Sequence, residues 1–451
     1  MFFSLFTHTF SRTRYGIMVD AGSSGTRGFL YTWNDAELIP EVSQCFDGEK
    51  RMKYKAKIRL ASASEDQEVI QTIFKPMIEM FMKKLTPEIA KETPIYVYAT
   101  AGMRLLSVDN QEKVFSHVYD YFKKNSLFLV KRNNFRVISG VEEGVYGWLS
   151  VNNLLQNFKN RKPYVGSIDL GGASFQIALQ VNESELLDES ILVKIGQQRI
   201  RIFSHSYLGY GVDVSSRSIS KAISAITDSN TINNPCFPRN YTTIIKGKEN
   251  ITVHGTGDFD KCARLTKKIL IDGPHFETVN IPGISSQSKF VGMANLYFVN
   301  NFFNLPETSS MEELRKVGTS YCSKEWSQIE AELNGKDSLE YAPTYCYCAA
   351  YQYTLLQKGF NFKDGNNEIR KLDDINGVDL SWAIGAMLAH ISDIDIVKKT
   401  TIPISLVIYA NLAVFCGLAL IYIFIAMRYK SNPYITMQHV DDLPPIEENE
   451  V

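Results

Sequence analysis

Residues 16–33, GIMVDAGSSGTRGFLYTW, hold two apolar runs either side of a small-residue connection. The runs are β-branched and aromatic and predict two strands joined as a hairpin. The connection, Asp20 to Arg27, reads as longer than the Asn-Gly or Asp-Gly turns of two-residue hairpins. Farther on, Val69, Ile70, Ile73, Phe74, Met77, Ile78 and Phe81 recur at helical spacing behind Ser64-Glu65-Asp66-Gln67, which reads as a capping box. Pro76 falls inside that helix and predicts a kink. PIYVYAT is a strand that ends at Thr100-Ala101-Gly102-Met103-Arg104. A second amphipathic helix carries Val114, Phe115, Val118, Tyr119 and Phe122. FRVISG is a further strand, and it runs into a helix from Val141 to Gln156. Strand and helix alternate, so this part of the chain is mixed α/β.

At residue 165 the opening pattern returns. VGSIDLGGASFQIALQV is again strand, small-residue turn and strand, and Asp169 to Ser174 mirrors Asp20 to Gly25 at a distance of 149 residues. A hairpin repeated at that distance implies two related lobes, each offering a glycine-rich loop to a shared cleft. Residues 182–345 are less regular. YCYCAAYQYTLLQKGF and VDLSWAIGAMLAHI then predict two closing helices.

Ser405 to Met427 carries no charged residue over 23 positions. As a helix it would reach about 34 Å, enough for a bilayer core, with Tyr409 and Tyr422 near the interfaces. A buried core helix is the alternative; the length and the place near the C-terminus favour a membrane anchor. Lys398 and Lys399 precede the span and Arg428 and Lys430 follow it, so charge counting leaves its orientation open. Sequons at Asn182, Asn240 and Asn250, and six cysteines before the span without zinc-type spacing, place residues 1 to 400 in the lumen or outside. MFFSLFTHTFSRTR is not a signal peptide of ordinary form, which leaves the route of translocation open.

With 451 residues the chain is too long for one core. A net charge of -1 supplies no basic field for nucleic acid, so no nucleic-acid partner is expected. There is no H-E-x-x-H, no His/Cys cluster, no G-x-S-x-G elbow and no G-x-x-x-x-G-K-[ST] loop, which argues against a zinc protease, a serine esterase and a P-loop enzyme. His205 reads as a packed histidine. The two loops suit a phosphate instead. They offer backbone N–H groups, the hydroxyls of Ser23, Ser24, Thr26 and Ser174, and the Arg27 guanidinium. Asp20 and Asp169 repel phosphate, so their role would be to hold a divalent cation, calcium or magnesium, through water. Each loop alone is equally readable as a tight turn with a capping aspartate; the pair fits a polyphosphate clamp. Glu142 and Glu143 fall in the first turn of the helix after FRVISG. By the residues alone, acids that complement the helix dipole are the preferred reading there.

Five motifs stand in order: VDAGSSGTR at 19–27, ATAGMR at 99–104, ISGVEEGVYGW at 138–148, DLGGASFQIA at 169–178 and SWAIGAML at 381–388. With them the chain resembles the nucleoside triphosphate diphosphohydrolase, or apyrase, family of the actin and sugar-kinase superfamily. SHSYLGYG at 204–211 and HGTGDFDKC at 254–262 add to the likeness, which covers residues 15 to 395. The resemblance implies an α/β fold of two related actin/ribonuclease-H-like lobes with a nucleotide cleft between them. It implies metal-dependent hydrolysis of the terminal phosphates of nucleoside tri- and diphosphates, without a phosphoenzyme. Glu143 becomes the general base, which overturns the dipole reading. Ser23, Ser24, Gly25, Thr26 and Arg27 match the first phosphate loop, and Gly171, Gly172, Ala173 and Ser174 the second. Asp20 and Asp169 match the aspartates that hold the metal's water shell, with Thr100 and Trp382 beside them. Tyr297 and Tyr351 match the aromatics that sandwich the nucleobase. The resemblance also implies disulfides Cys236–Cys262 and Cys322–Cys346 and leaves Cys45 and Cys348 unassigned.

The domain plan that follows is a short segment 1–14, lobe I at 15–160, lobe II at 161–375, a closing helix in 376–400 that returns to lobe I, a transmembrane helix at 402–427 and a cytosolic tail at 428–451. Gly209, where several surface members carry cysteine, points to the intracellular Golgi-type group over the cell surface. Oligomerisation is left open, as is the choice between triphosphate and diphosphate. The competing readings are an exopolyphosphatase or kinase of the same superfamily, and a non-catalytic membrane receptor.

Overall fold

The opening hairpin forms, with Thr13–Gly22 antiparallel to Gly25–Asn34. The computed structural model describes residues 12–37, 39–182, 190–247, 249–273, 289–365, 368–392, 394–397 and 417–427. Gly22 pairs with Gly25, so Ser23 and Ser24 alone make the turn. The expected longer loop is therefore a two-residue turn. Gly25 takes φ +153°, and a Cβ there would lie 2.5 Å from the Ala56 carbonyl, which only glycine allows.

The first sheet runs in the order Ser43–Gln44, Gly25–Asn34, Thr13–Gly22, Ile95–Ala99, Phe135–Val137, with Lys53–Ala56 also paired to the hairpin. The second runs Glu368–Lys371, Lys289–Ala294, Gly166–Leu170, Ser174–Gln180, Gln198–Leu208, Ser190–Ile195, Ile394–Val397. The two follow one plan. Each begins with an antiparallel hairpin, whose first strand pairs in parallel with a later strand, which pairs in parallel with another. Each then leads to a buried helix, Gly140–Leu154 in the first lobe and Trp382–Ile391 after the second. This is the α/β two-lobe arrangement of the actin type.

Alternation within the strands decides what faces where. Ile17, Val19 and Leu30 belong to an outer core with Ile73, Phe74 and Phe122 of the amphipathic helices Glu68–Met82 and Val108–Asn125. Met18, Phe29 and Tyr31 face the other way, into a central core shared with Trp148, Ala178, Val193, Ile384 and Met387. Ile168, Phe175, Ile177 and Phe203 belong to the outer core of lobe II. Strands buried on both faces read as unbroken apolar runs, as GIMV does. The two central helices touch closely: a Cβ on Gly385 would lie 1.9 Å from the Tyr146 carbonyl. Ser150 Oγ seals the crossing, accepting from Gly385 N at 2.8 Å and donating to the Ser381 carbonyl at 2.6 Å.

Several local expectations change. Ser64 closes a 3-10 turn by donating to the Ala61 carbonyl, and the next helix starts at Glu68, whose N–H donates to Asp66 Oδ1 at 2.9 Å. No capping box forms. That helix runs unbroken through Pro76 to Met82; Pro76 is exposed, so water can satisfy the carbonyl it leaves unpaired. After the return helix the chain does not stay with lobe I. Ile394–Val397 adds an edge strand to the second sheet, against Ser190–Ile195. Both disulfides, Cys236–Cys262 and Cys322–Cys346, are formed, and Cys45 and Cys348 are buried free thiols. Residues 417–427 are helical. Among the described residues no helix is long and apolar enough to cross a membrane. The rest of Ser405–Met427 lies outside the described residues, as do 1–11 and 428–451.

Gly385→Ala forces a methyl into the Tyr146 carbonyl. Thermal unfolding should show a loss of about 1–3 kcal/mol; an unchanged unfolding temperature would mean that the two helices can part without cost.

Candidate active site

The repeated hairpins bring their aspartates to equivalent places. Asp20 pairs across its hairpin with Arg27, and Asp169 across its own with Gln176. Both aspartates lie one residue on from outer-core positions and so point inward. Glu143 joins them from the helix between the sheets. The sequence leaves Glu142 and Glu143 side by side, and the structure separates them. Glu142 completes a capping box with Ser139 and pairs with Arg136 at 3.2 Å. Glu143, one position around the helix, is buried in the cleft.

Glu143 is held from two sides. Arg104 Nη2 reaches its Oε2 at 2.9 Å, and Gln176 Nε2 donates to the same oxygen at 3.1 Å. Arg104 also donates to the Ile138 carbonyl at 3.1 Å and approaches Ser174 Oγ at 3.4 Å. Gln176 Nε2 further reaches Ser206 Oγ at 3.0 Å. Arg27 Nη1 lies 3.5 Å from Asp20 Oδ2, and Arg27 Nη2 3.5 Å from Ser24 Oγ.

Burial pushes the Glu143 carboxyl up to about 8, against the pull of Arg104 and with help from Asp169 and Asp20. Burial and the neighbouring Asp20 push Asp169 up to about 7. Asp20 is also raised by burial, with Arg27 opposing. Two buried acceptors of this site have no protein partner among the described residues, Asp20 Oδ1 and Gln176 Oε1. Both call for O–H donors, such as the water shell of a cation or an attacking water. Among the described residues no three acids or histidines stand close enough to ligate a metal directly. The donor set therefore fits a cation held through water by Asp20 and Asp169, and does not fit a zinc-type site.

The two loops face each other. A Cβ on Gly172 would lie 2.8 Å from Ser23 Oγ and 2.5 Å from Asp213 Oδ2, so the second loop must be bare backbone where it meets the first. Asp213 lies in the first turn of the helix Val212–Thr227, and its N–H donates to the Gly172 carbonyl at 2.9 Å. Ser23, Ser24, Arg27, Gly171, Gly172, Ala173 and Ser174 thus gather around one gap with Thr100, whose N–H donates to the Ala21 carbonyl at 3.3 Å. Thr26 does not join them by its side chain. It is fully buried and its hydroxyl donates to the Ile58 carbonyl at 3.0 Å. Trp382 opens the return helix, buried in the central core with its ring 6.5 Å from that of Tyr146.

The two tyrosines expected at the nucleobase part company. Tyr297 is half-buried in the helix Asn295–Phe302, near Asp373 and Asp374. Tyr351 has no exposed surface; its ring stacks on Tyr347 at 5.3 Å and its hydroxyl donates to the Tyr210 carbonyl. A ring packed inside the core of lobe II offers no face to a base, which removes Tyr351 from the site in this conformation. The pattern reading also passed over Arg104 and Gln176. A signal for Gln176 was available: it follows Asp169 by the same seven positions that separate Arg27 from Asp20.

A fold of two actin-type lobes with an acidic, phosphate-ready cleft defines a phosphotransfer or phosphate-hydrolysing enzyme. Residues 7–405 match the GDA1/CD39 (nucleoside phosphatase) family, and the chain belongs to it. It is similar to the Golgi apyrase of Schizosaccharomyces pombe, 30% identical with 86% of this chain and 77% of that one covered. It is 28% identical to nucleoside-diphosphatase mig-23 of Caenorhabditis elegans, with 90% and 84% covered. It is 26% identical to human ectonucleoside triphosphate diphosphohydrolase 3, with 95% and 89% covered. Among solved structures, nucleoside triphosphate hydrolase from Neospora caninum shares the fold at a TM-score of 0.62 and 17% identity, over 84% of this chain and 93% of that one. The chain is a nucleoside phosphatase.

Two outcomes follow from the site's electrostatics and packing. Acids raised by burial favour the folded state when protonated, so stability falls as pH climbs from their unfolded values near 4 toward about 7 for Asp169 and about 8 for Glu143. Unfolding temperatures of chelator-treated protein should drop across that window, and Glu143→Gln with Asp169→Asn should flatten the slope; an unaltered slope would place the acids in water. Tyr351→Phe should cost about 1 kcal/mol of stability and leave the KM for nucleotide unchanged. A large rise in KM would return Tyr351 to the base site.

Proposed function

We propose that the chain hydrolyses the terminal phosphate of nucleoside tri- and diphosphates by in-line attack of a water that Glu143 orients and deprotonates. The observation that carries this is the Glu143 carboxylate, buried and held by Arg104 and Gln176 between the two aspartate-led hairpins. The names of the relatives support the substrate class. Ser23, Ser24 and Arg27 from one lobe, and the bare backbone of Gly171–Ser174 from the other, would grip the phosphate chain and neutralise its charge. Arg104 and Gln176 hold Glu143 Oε2, which would leave Oε1 to take the proton. The raised affinity of Glu143 for a proton suits a base that works near neutral pH. Gln176 Oε1 would accept a hydrogen bond from the water's other O–H and so aim its lone pair. Asp20 and Asp169 would hold calcium or magnesium through water, which supplies charge neutralisation at the phosphate oxygens when bound. Tyr297 would stack on the base. The nucleophile is water, so no covalent intermediate forms.

We further propose that Ser405–Met427 anchors the chain in a membrane with the catalytic lobes on the lumenal or extracellular side, in the Golgi in preference to the cell surface. Two disulfides and exposed sequon asparagines at 182, 240 and 250 support an oxidising compartment, as does the name of the Golgi apyrase to which the chain is similar.

Phosphate release from ATP, ADP, UDP and GDP tests the reading, with calcium, with magnesium and with EDTA. Release should need a divalent cation, and Glu143→Gln should lower kcat by about 10²–10⁴ with KM little changed. The kcat/KM of the unsubstituted chain should fall on the acid side of a limb above the ordinary carboxylate range, and Glu143→Gln should lack that limb. Folded protein that releases phosphate equally well as Glu143→Gln would rule out Glu143 as the base.

A further inference from the structure

The strand Lys289–Ala294 runs parallel to Gly166–Leu170, and the pairing ends with Ala294 against Leu170, the residue before the second phosphate loop. There the chain turns sharply. Ala294 has φ 56° and ψ −121°, a combination that strains any residue with a side chain and persists only where its surroundings impose it. The next residue imposes it. Asn295 Nδ2 donates to the Leu170 carbonyl at 2.8 Å, and the Asn295 carbonyl accepts from the buried Gln352 Nε2 at 2.7 Å. One side chain therefore ties the strand that enters the phosphate loop to the first turn of the helix Asn295–Phe302, which carries Tyr297. That amide touches none of the groups placed at the reacting phosphate: among the described residues it has no hydrogen bond to Asp20, Glu143, Arg104 or Asp169. Its only reach is from the loop to the helix.

We propose that Asn295 is a positioning residue for substrate selection, setting the distance between the second phosphate loop and the ring of Tyr297. A nucleoside has a fixed span from base to phosphate, whereas stacking accepts every base. A strained, bolted turn between the two contacts measures that span. The enzyme then selects nucleotides by length and not by hydrogen bonds to one base, so purine and pyrimidine diphosphates lose equally when the bolt is removed. The inference rests on Tyr297 as the base contact.

The test is steady-state hydrolysis of ADP, GDP and UDP by the full chain, as wild type, Asn295→Ala, Asn295→Asp, Tyr297→Ala and the Asn295→Ala/Tyr297→Ala pair, with unfolding temperatures measured beside them. Asn295→Asp keeps the size of the side chain and loses the donor. Both Asn295 variants should raise KM about tenfold for all three substrates and hold kcat within about twofold. The double variant should bind no more weakly than Tyr297→Ala alone, because Asn295 acts through that ring. Multiplied effects in the double variant would overturn the proposal, and so would a fall in kcat at unchanged KM. If Tyr297→Ala raises KM and the Asn295 variants do not, the coupling fails and the base contact stands. If Tyr297→Ala leaves KM alone, the base contact fails with it, and phosphate hydrolysis at Glu143 is untouched.

Discussion

Three carboxylates drawn together, Asp20 and Glu143 buried and Asp169 half-buried, are the constraint around which this fold is arranged. Asp20, Asp169 and Glu143 repel one another in a setting where water screens them little. Arg27 and Arg104 offset part of that charge, with Arg27 at the long distance of 3.5 Å. Such a cluster does not survive on mobile loops. Here each acid starts from a rigid element: two sit at strand ends in sheets buried on both faces, and the third is in a helix whose far side is packed against Gly385. The strength of the central core is what lets the cleft keep an unbalanced negative charge, and that imbalance is the source of its demand for a cation and for hydrogen-bond donors.

Duplication gives the site its geometry, and divergence gives it direction. The two hairpins place an aspartate at matching positions and differ at the residue across from it. In lobe I that residue is Arg27, a cation on the phosphate side. In lobe II it is Gln176, a neutral amide that grips Glu143. An arginine in place of Gln176 would add a second cation to the one Arg104 already gives Glu143 and would lower its proton affinity further. A symmetric pair of amides would leave the phosphate uncompensated. On the proposed mechanism, the single exchange would give one lobe a cation for the substrate's charge and the other an amide for the water.

Much of this was legible from residue order. The repeated strand, turn and strand announced two lobes, each with an aspartate where a strand meets its turn. What the sequence concealed was local competition for hydrogen bonds. Ser64 satisfies the Ala61 carbonyl and no helix N-terminus, and the Thr26 hydroxyl serves the Ile58 carbonyl. Two adjacent glutamates look alike until the helix turns one toward Ser139 and the other toward the cleft. Tyr351 shows the limit most plainly, since an aromatic beside an aromatic carries no mark of whether its face is covered. The turn at Ala294 was equally hidden, because nothing in MANLY announces a left-handed alanine.

The final strand of the catalytic unit has a mechanical meaning. Trp382–Ile391 belongs to the central core, and Ile394–Val397 then hydrogen-bonds to the edge of the second sheet, with Val397 opposite Leu192 and Ile394 opposite Ile195. Tension arriving along the chain from beyond Val397 meets that edge first and would peel it one pair at a time from its end. Load would thus enter the second sheet through Ser190–Ile195 before it reached the central helix Trp382–Ile391. A pull on the chain would therefore be shared between four backbone pairs and the sheet they join before it bore on the return helix.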